Sequence, residues 1–107
     1  YGSSHVVSPH IDELASRGVL FNRAYCQQAV CGPSRLSIMT GMHLETLGVF
    51  GMSAGNIIQW RETRKGITSL PEQFRKHGYY AYCIGKIYDY RLGIDRGFSW
   101  DSVGGGL

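Results

Sequence analysis

Residues 69–84 read SLPEQFRKHGYYAYCI and carry, in order, the signals of a helix, a glycine stop and a strand. Ser69 is a favourable N-cap, and Glu72 three residues later completes a capping box, with a proline in the first turn. Gly78 supplies the left-handed residue that often follows a helix. The aromatic and apolar residues 79–84 are typical of a strand. This stretch therefore predicts a helix followed directly by a strand.

The same order occurs near the beginning of the chain. Ser8 can cap a helix with Pro9 at its first position, and Gly18 is the predicted left-handed stop. Residues 19–25 then predict a strand. Two helix–glycine–strand units predict an α/β fold whose sheet is largely parallel and flanked by helices. Residues 41–67, which contain five glycines, predict a long irregular connection.

Composition limits the classes of protein to consider. A chain of 107 residues is one domain at most, and 43% hydrophobic with 18% charged residues indicates a globular protein. The net charge of +3 is too mild to indicate nucleic-acid binding. A loose basic cluster at Arg61, Arg64 and Lys65 could meet an anionic substrate, although a solvated loop is the better default. No apolar segment approaches the length of a membrane span, and no signal peptide is visible.

Between the two helix–strand units lies the stretch CGPSRLSIMTG, residues 31–41. Pro33 and Ser34 predict a short helix that starts at or just after Cys31, so a reactive group there would lie at the positive end of the helix. A phosphatase-type cysteine is excluded, because position 37 is Ser rather than Arg. A zinc ligand would need a closely spaced Cys or His, and no Cys-x-x-Cys occurs. A plain buried thiol stays as the alternative to a catalytic residue.

Residues 31–41 resemble the signature of the type I sulfatases, Cys-x-Pro-Ser-Arg followed by a short apolar segment and Thr-Gly. Residues 8–15, 27–30, 70–79 and 85–88 are similar to segments of the iduronate-2-sulfatase-like group. The resemblance implies a partial alkaline-phosphatase/sulfatase-like α/β core, with residues 1–107 as a fragment of the N-terminal catalytic domain. It also implies that the remainder of a sulfatase chain is a partner of this piece.

The resemblance assigns chemistry to three positions. In the family a formylglycine-generating enzyme, reading Pro33 and Arg35, oxidises Cys31 to formylglycine, whose hydrate attacks the sulfur of a sulfate ester. Cys31 and Arg35 are therefore the expected catalytic residues, with Arg35 holding the formylglycine hydroxyl. Lys86 is the expected contact to the substrate sulfate. The plain alternatives are a helix-surface arginine and a solvated lysine.

The remaining cysteines and histidines have simpler interpretations. A disulfide between Cys26 and Cys83 is arithmetically possible, but two buried free thiols are favoured. The four histidines are expected to be surface or capping residues rather than ligands: His5, His10, His43 and His77.

The implied metal is calcium, which prefers oxygen ligands. The family holds it with aspartate pairs that fall outside this stretch, so Cys31, as formylglycine, is the one expected metal ligand here. The chain departs from the family pattern Gly-Lys-x-x-His, because Asp89 stands where the histidine is expected. We therefore leave Asp89 out of the predicted catalytic set. The other aspartates are not at the family's metal positions: Asp12, Asp95 and Asp101.

The resemblance implies a sulfuric ester hydrolase that acts on a sulfated small molecule or glycan, as in glycosaminoglycan degradation. It implies the secretory route, whether lysosomal, extracellular or periplasmic, and no nucleic-acid or membrane partner. Two alternatives stay open. One is a phosphonate or phosphate ester hydrolase of the same superfamily, and the other is a truncated pseudo-sulfatase with a binding or structural role. The 107-residue piece alone is predicted to be inactive, because most metal ligands lie outside it.

Overall fold

The computed structural model describes residues 3–51, 60–89 and 95–105. Within these ranges the chain forms five helices and a parallel pair of strands. The helices are α1 (Pro9–Arg17), α2 (Cys31–Thr40), α3 (Leu44–Leu47), α4 (Trp60–Thr63) and α5 (Leu70–Lys76). The strands are β1 (Tyr82–Ile84) and β2 (Ser102–Gly104). This mixture of helices with a small parallel sheet confirms the predicted α/β class.

Helix α1 begins as predicted, with Pro9 in its first turn, but it ends differently. Gly18 has φ −112° and ψ −159°, so the predicted left-handed stop is wrong and the chain leaves α1 in an extended conformation. A Cβ at position 18 would lie 3.1 Å from the carbonyl oxygen of Leu14. Close approach to the helix end, rather than a positive φ, therefore explains the glycine.

The strand predicted over residues 19–25 is wrong, because this segment is irregular. Its apolar side chains face solvent, with Val19, Phe21 and Tyr25 each more than two-thirds exposed. A strand is stable only when its backbone groups pair with a neighbour. Among the described residues the sheet consists of β1 and β2, which pair with each other and not with this segment.

Helix α5 confirms the capping box. The Ser69 hydroxyl accepts from the Glu72 amide, and the Glu72 carboxylate accepts from the Ser69 amide, each at 3.3 Å. Gly78 follows the helix with φ 84°, as predicted. The strand after it is shorter than residues 79–84, because only Tyr82–Ile84 pair with β2, in parallel.

Helix α2 starts at Cys31 and is anchored through its opposite end. Leu36 is fully buried, and the Thr40 hydroxyl donates to the Leu36 carbonyl oxygen at 2.8 Å. Gly41 ends the helix at φ 67°, where its amide donates to the Ser37 carbonyl oxygen at 2.8 Å. The helix packs against α3 and α5. The core around it contains Leu36, Leu44, Leu47, Val49, Trp60, Cys83, Tyr88 and Trp100.

The connection over residues 41–67 is less irregular than predicted, because it contains the short helices α3 and α4. Part of it, residues 52–59, lies outside the described ranges.

The basic cluster predicted in this connection is not a set of solvated charges. Arg61 forms ion pairs with Asp95 at 2.6 Å and with Glu72 at 2.8 Å. The Arg64 guanidinium donates to the carbonyl oxygen of Thr46. At least two of the three cations therefore have partners within the protein.

Candidate functional site

Three side chains from two distant parts of the sequence meet at the start of α2. The Lys86 ammonium donates to Cys31 Sγ at 3.6 Å and lies 3.0 Å from Asp89 Oδ2. The Cys31 thiol in turn donates to the same Asp89 oxygen at 3.7 Å. The three atoms thus form a closed triangle, which we call the Cys31–Lys86–Asp89 cluster.

Local structure explains how these residues meet. Cys31 is the first residue of α2, and the N-cap before it is Val30, whose apolar side chain cannot cap the helix start. Lys86 lies just past the carboxyl end of β1, after Gly85 at φ 69° turns the chain. This is the edge at which α/β sheets place their ligands. Tyr88, buried in the core, anchors the loop between Lys86 and Asp89.

The cluster combines an accessible face with a buried charge. Cys31 is exposed, and the Lys86 side chain is 44% exposed. The Asp89 side chain is fully buried. The hydrogen bond to Asp89 raises the pKa of the Lys86 ammonium, so the lysine carries its charge at neutral pH. Because α2 presents its positive end to Cys31, an anion near this thiol would meet two sources of positive potential.

Arg35 lies one turn further along α2 and is oriented towards the same loop. Its guanidinium donates to the carbonyl oxygen of Lys86, and to that of Ile87 at 3.5 Å. The arginine therefore joins α2 to the loop that carries Lys86. Pro33, between Cys31 and Arg35 in the signature, is buried.

The predicted site residues are thus brought together, although their chemical roles stay predictions. The structure brings together Cys31, Arg35 and Lys86, although Lys86 is far from the other two in sequence. Asp89, which we left out of the predicted set, is in direct contact with Cys31 and Lys86. The signal that could have identified Asp89 is its position three residues after Lys86, where the family pattern has a histidine.

The other cysteines lie outside this cluster. All three cysteines are free, so Cys26 and Cys83 are unpaired, as favoured from the sequence. Cys26 is exposed rather than buried, and it donates to the Gln28 carbonyl oxygen at 3.3 Å. Cys83 is buried in the core, and this burial raises the pKa of its thiol. Within the described residues, Cys31 alone among the three is exposed and also has a neighbouring ammonium group, that of Lys86.

The residues of the described ranges do not form a metal site by themselves. Within these ranges, no three His, Cys, Asp or Glu side chains are grouped so that they could hold an ion. The four histidines are exposed, as expected for surface or capping residues. The described part of the chain also holds no helix with the length and apolar character needed to cross a membrane.

Comparison with known proteins gives a consistent result. The family model described as Sulfatase matches residues 1–100. A sulfatase of Formosa agariphila is 44% identical over 87 residues, covering 79% of this chain and 17% of that protein. Mouse iduronate 2-sulfatase is 39% identical over 88 residues, covering 82% of this chain and 15% of that protein. An N-acetylgalactosamine-6-O-sulfatase of Bacteroides thetaiotaomicron is 34% identical over 86 residues, covering 80% of this chain and 16% of that protein. The chain therefore spans less than a fifth of the length of these curated relatives.

Proposed function

Because the chain belongs to the sulfatase family, we propose that it is the N-terminal part of a sulfuric ester hydrolase whose nucleophile is made from Cys31. The observation that supports this most directly is the position of the Cys31 thiol. It is exposed at the start of α2, with the Lys86 ammonium 3.6 Å away. A nucleophile that attacks an anionic ester needs an accessible position and fixed positive charge beside it.

Position 31 suits a formylglycine, since its side chain is exposed and its sulfur already contacts hydrogen-bonding groups of the cluster. After conversion it would supply a hydrated aldehyde whose hydroxyl attacks the ester sulfur. Lys86 would bind a sulfate oxygen, because its ammonium carries three donors and remains charged. Arg35 would hold the formylglycine hydroxyl, as the resemblance implies, and its guanidinium would also keep Lys86 in place through the carbonyl oxygens of residues 86 and 87.

Calcium is part of this proposal, but the described residues do not fit a calcium site without further ligands. Calcium takes about six to eight oxygen ligands as a rule. Residue 31 could offer one as formylglycine, and the others would come from the remainder of the protein.

The proposed substrates are sulfated small molecules or glycans. The relatives include proteins named iduronate 2-sulfatase and N-acetylgalactosamine-6-O-sulfatase, which supports a sulfated sugar. The proposed partners are a formylglycine-generating enzyme and the remainder of the sulfatase chain. A secretory-route location, whether lysosomal, extracellular or periplasmic, is proposed on the same resemblance.

Two measurements on the complete protein from its own host test the proposal. Mass spectrometry of the peptide that contains residue 31 should show the thiol sulfur replaced by an aldehyde oxygen. Hydrolysis of an aryl sulfate should be abolished in Cys31→Ala. A peptide that carries only an alkylatable thiol, in protein without sulfatase activity, would contradict the proposal and favour a binding role. Faster turnover of a phosphonate ester than of a sulfate ester would favour the related hydrolase.

A further inference from the structure

The Cys31–Lys86–Asp89 cluster contains a negative charge where the proposed reaction brings an anion. The Asp89 carboxylate lies 3.7 Å from Cys31 Sγ, in a fully buried position. Buried charges interact strongly with their neighbours, because water screens them poorly. A substrate that reaches residue 31 must therefore come close to this carboxylate.

Asp89 also reduces the positive charge available to a ligand. Lys86, the exposed cation of the cluster, is already in an ion pair with Asp89 at 3.0 Å. The Arg35 guanidinium is directed at the carbonyl oxygens of Lys86 and Ile87. The site therefore attracts an anion less strongly than two unpaired cations would, and the repulsion from Asp89 grows with the charge of the anion.

We propose that Asp89 is a specificity-determining residue that restricts this site to esters with one negative charge. This inference rests on the proposed function, since it concerns the anion that residue 31 would attack. A sulfate ester carries one negative charge, whereas a phosphate monoester carries close to two above neutral pH. The carboxylate repels both anions, but it repels the second charge of the phosphate in addition. The two esters have nearly the same shape, and Asp89 thus favours binding of the sulfate ester because it carries less negative charge.

The test measures binding rather than turnover. In the complete protein with Cys31→Ala, calorimetry at pH 8 gives the dissociation constants of phenyl sulfate and phenyl phosphate. Adding Asp89→Asn removes the charge but keeps the shape of the side chain. The preference for sulfate over phosphate should then fall by at least about tenfold, because the extra repulsion of the doubly charged ester is lost. Asp89→His, uncharged at pH 8, should change the preference in the same direction.

A matched control separates this effect from a general loss of charge. Glu45→Gln in the same background also converts a carboxylate to an amide, but on an exposed residue in the first turn of α3. It should leave the preference unchanged within about twofold, as expected of a solvent-screened charge. Thermal melting shows which variants are folded. If Asp89→Asn does not fold, the binding ratio of Asp89→His provides the test.

Two results would overturn the inference. One is a preference that stays within about twofold of the parent in a folded Asp89 variant. The other is a Cys31→Ala parent that binds phenyl phosphate as well as phenyl sulfate.

Because Cys31→Ala cannot be converted, these binding ratios do not depend on formylglycine. Absence of sulfatase activity in the unaltered protein would count against the proposed function and leave the ratios valid. Conversely, if the protein is an active sulfatase but its preference for sulfate over phosphate is unchanged in the Asp89 variants, only the present inference is overturned.

Discussion

Replacing Arg61 with alanine should destabilise the region that joins α4, α5 and residues 95–99. The Arg61 side chain is 18% exposed and pairs at 2.6 Å with the Asp95 side chain, which is 4% exposed. It also pairs with Glu72 at 2.8 Å and lies over the rings of Trp60 and Phe98, at 4.3 Å and 4.8 Å from their centroids. Burial by itself lowers the pKa of Arg61, but its hydrogen bonds and charge interactions with Asp95 and Glu72 together outweigh this, and the pKa is raised.

The expected magnitude follows from what the variant leaves behind. Asp95 would stay buried without its cation, and removing one partner of a buried pair costs about 3–5 kcal/mol. Loss of the contact with the Trp60 ring adds about 0.5–1 kcal/mol. Since water partly reaches the guanidinium, we expect a total near the lower end, about 3.5–4 kcal/mol. Arg61→Lys should cost less, because it keeps the charge but loses the forked geometry.

Hydrogen exchange in the complete protein measures this locally. Amides of α5 should exchange at least about a hundredfold faster in Arg61→Ala, since each 1.4 kcal/mol is about a tenfold change. The control is Arg17→Ala, which removes an exposed pair with Glu13 at 3.5 Å. Exposed pairs contribute about 0–1 kcal/mol, so this variant should change little. Equal effects in the two variants would refute the reasoning, because burial would then make no difference.

Three further outcomes are expected. Gly41→Ala should lower the stability by about 1 kcal/mol in urea unfolding, since φ 67° disfavours a side chain, and an unchanged midpoint would contradict this. The pKa of Asp101 is lowered below its ordinary 3.8, mainly by the hydrogen bond from the Ala81 amide and then by Arg75. The contribution of the ionised Asp101 to stability is therefore present above pH 3.8 and is lost as the pH falls through the lowered pKa. Asp101→Asn should therefore melt lower than the parent at pH 6, with a smaller difference at pH 3; a constant difference would argue against the lowered pKa of Asp101. The 107-residue chain alone, with formylglycine at residue 31, should not hydrolyse an aryl sulfate even when calcium is present. Metal-dependent turnover above that of a Cys31→Ala control would mean that these 107 residues contain the metal ligands.

The features that could be predicted well from the sequence depend on neighbouring residues. The capping box at Ser69 and Glu72 needs only local geometry, and it forms as predicted. The start of α2 at Cys31 follows in the same way from the residues around Pro33. Gly78 likewise has the positive φ expected after a helix.

The features that could not be predicted depend on distant partners. The apolar pattern of residues 19–25 fits a strand, but a pattern cannot supply the neighbour that a strand needs. Arg61 resembles a loop cation until Asp95, 34 positions later, is placed against it. Asp89 looks unsuited to catalysis as an isolated carboxylate, because its contacts with Cys31 and Lys86 appear only in three dimensions.

Folding makes part of the signature around Cys31 less accessible to an enzyme that would recognise it. Pro33 is buried, and the Arg35 guanidinium is bound to the loop after β1. An enzyme that modifies Cys31 by recognising these two side chains would find Pro33 inaccessible, and the Arg35 guanidinium already hydrogen-bonded, once α2 has joined that loop. The proposed conversion of Cys31 would therefore be easiest before α2 packs against that loop.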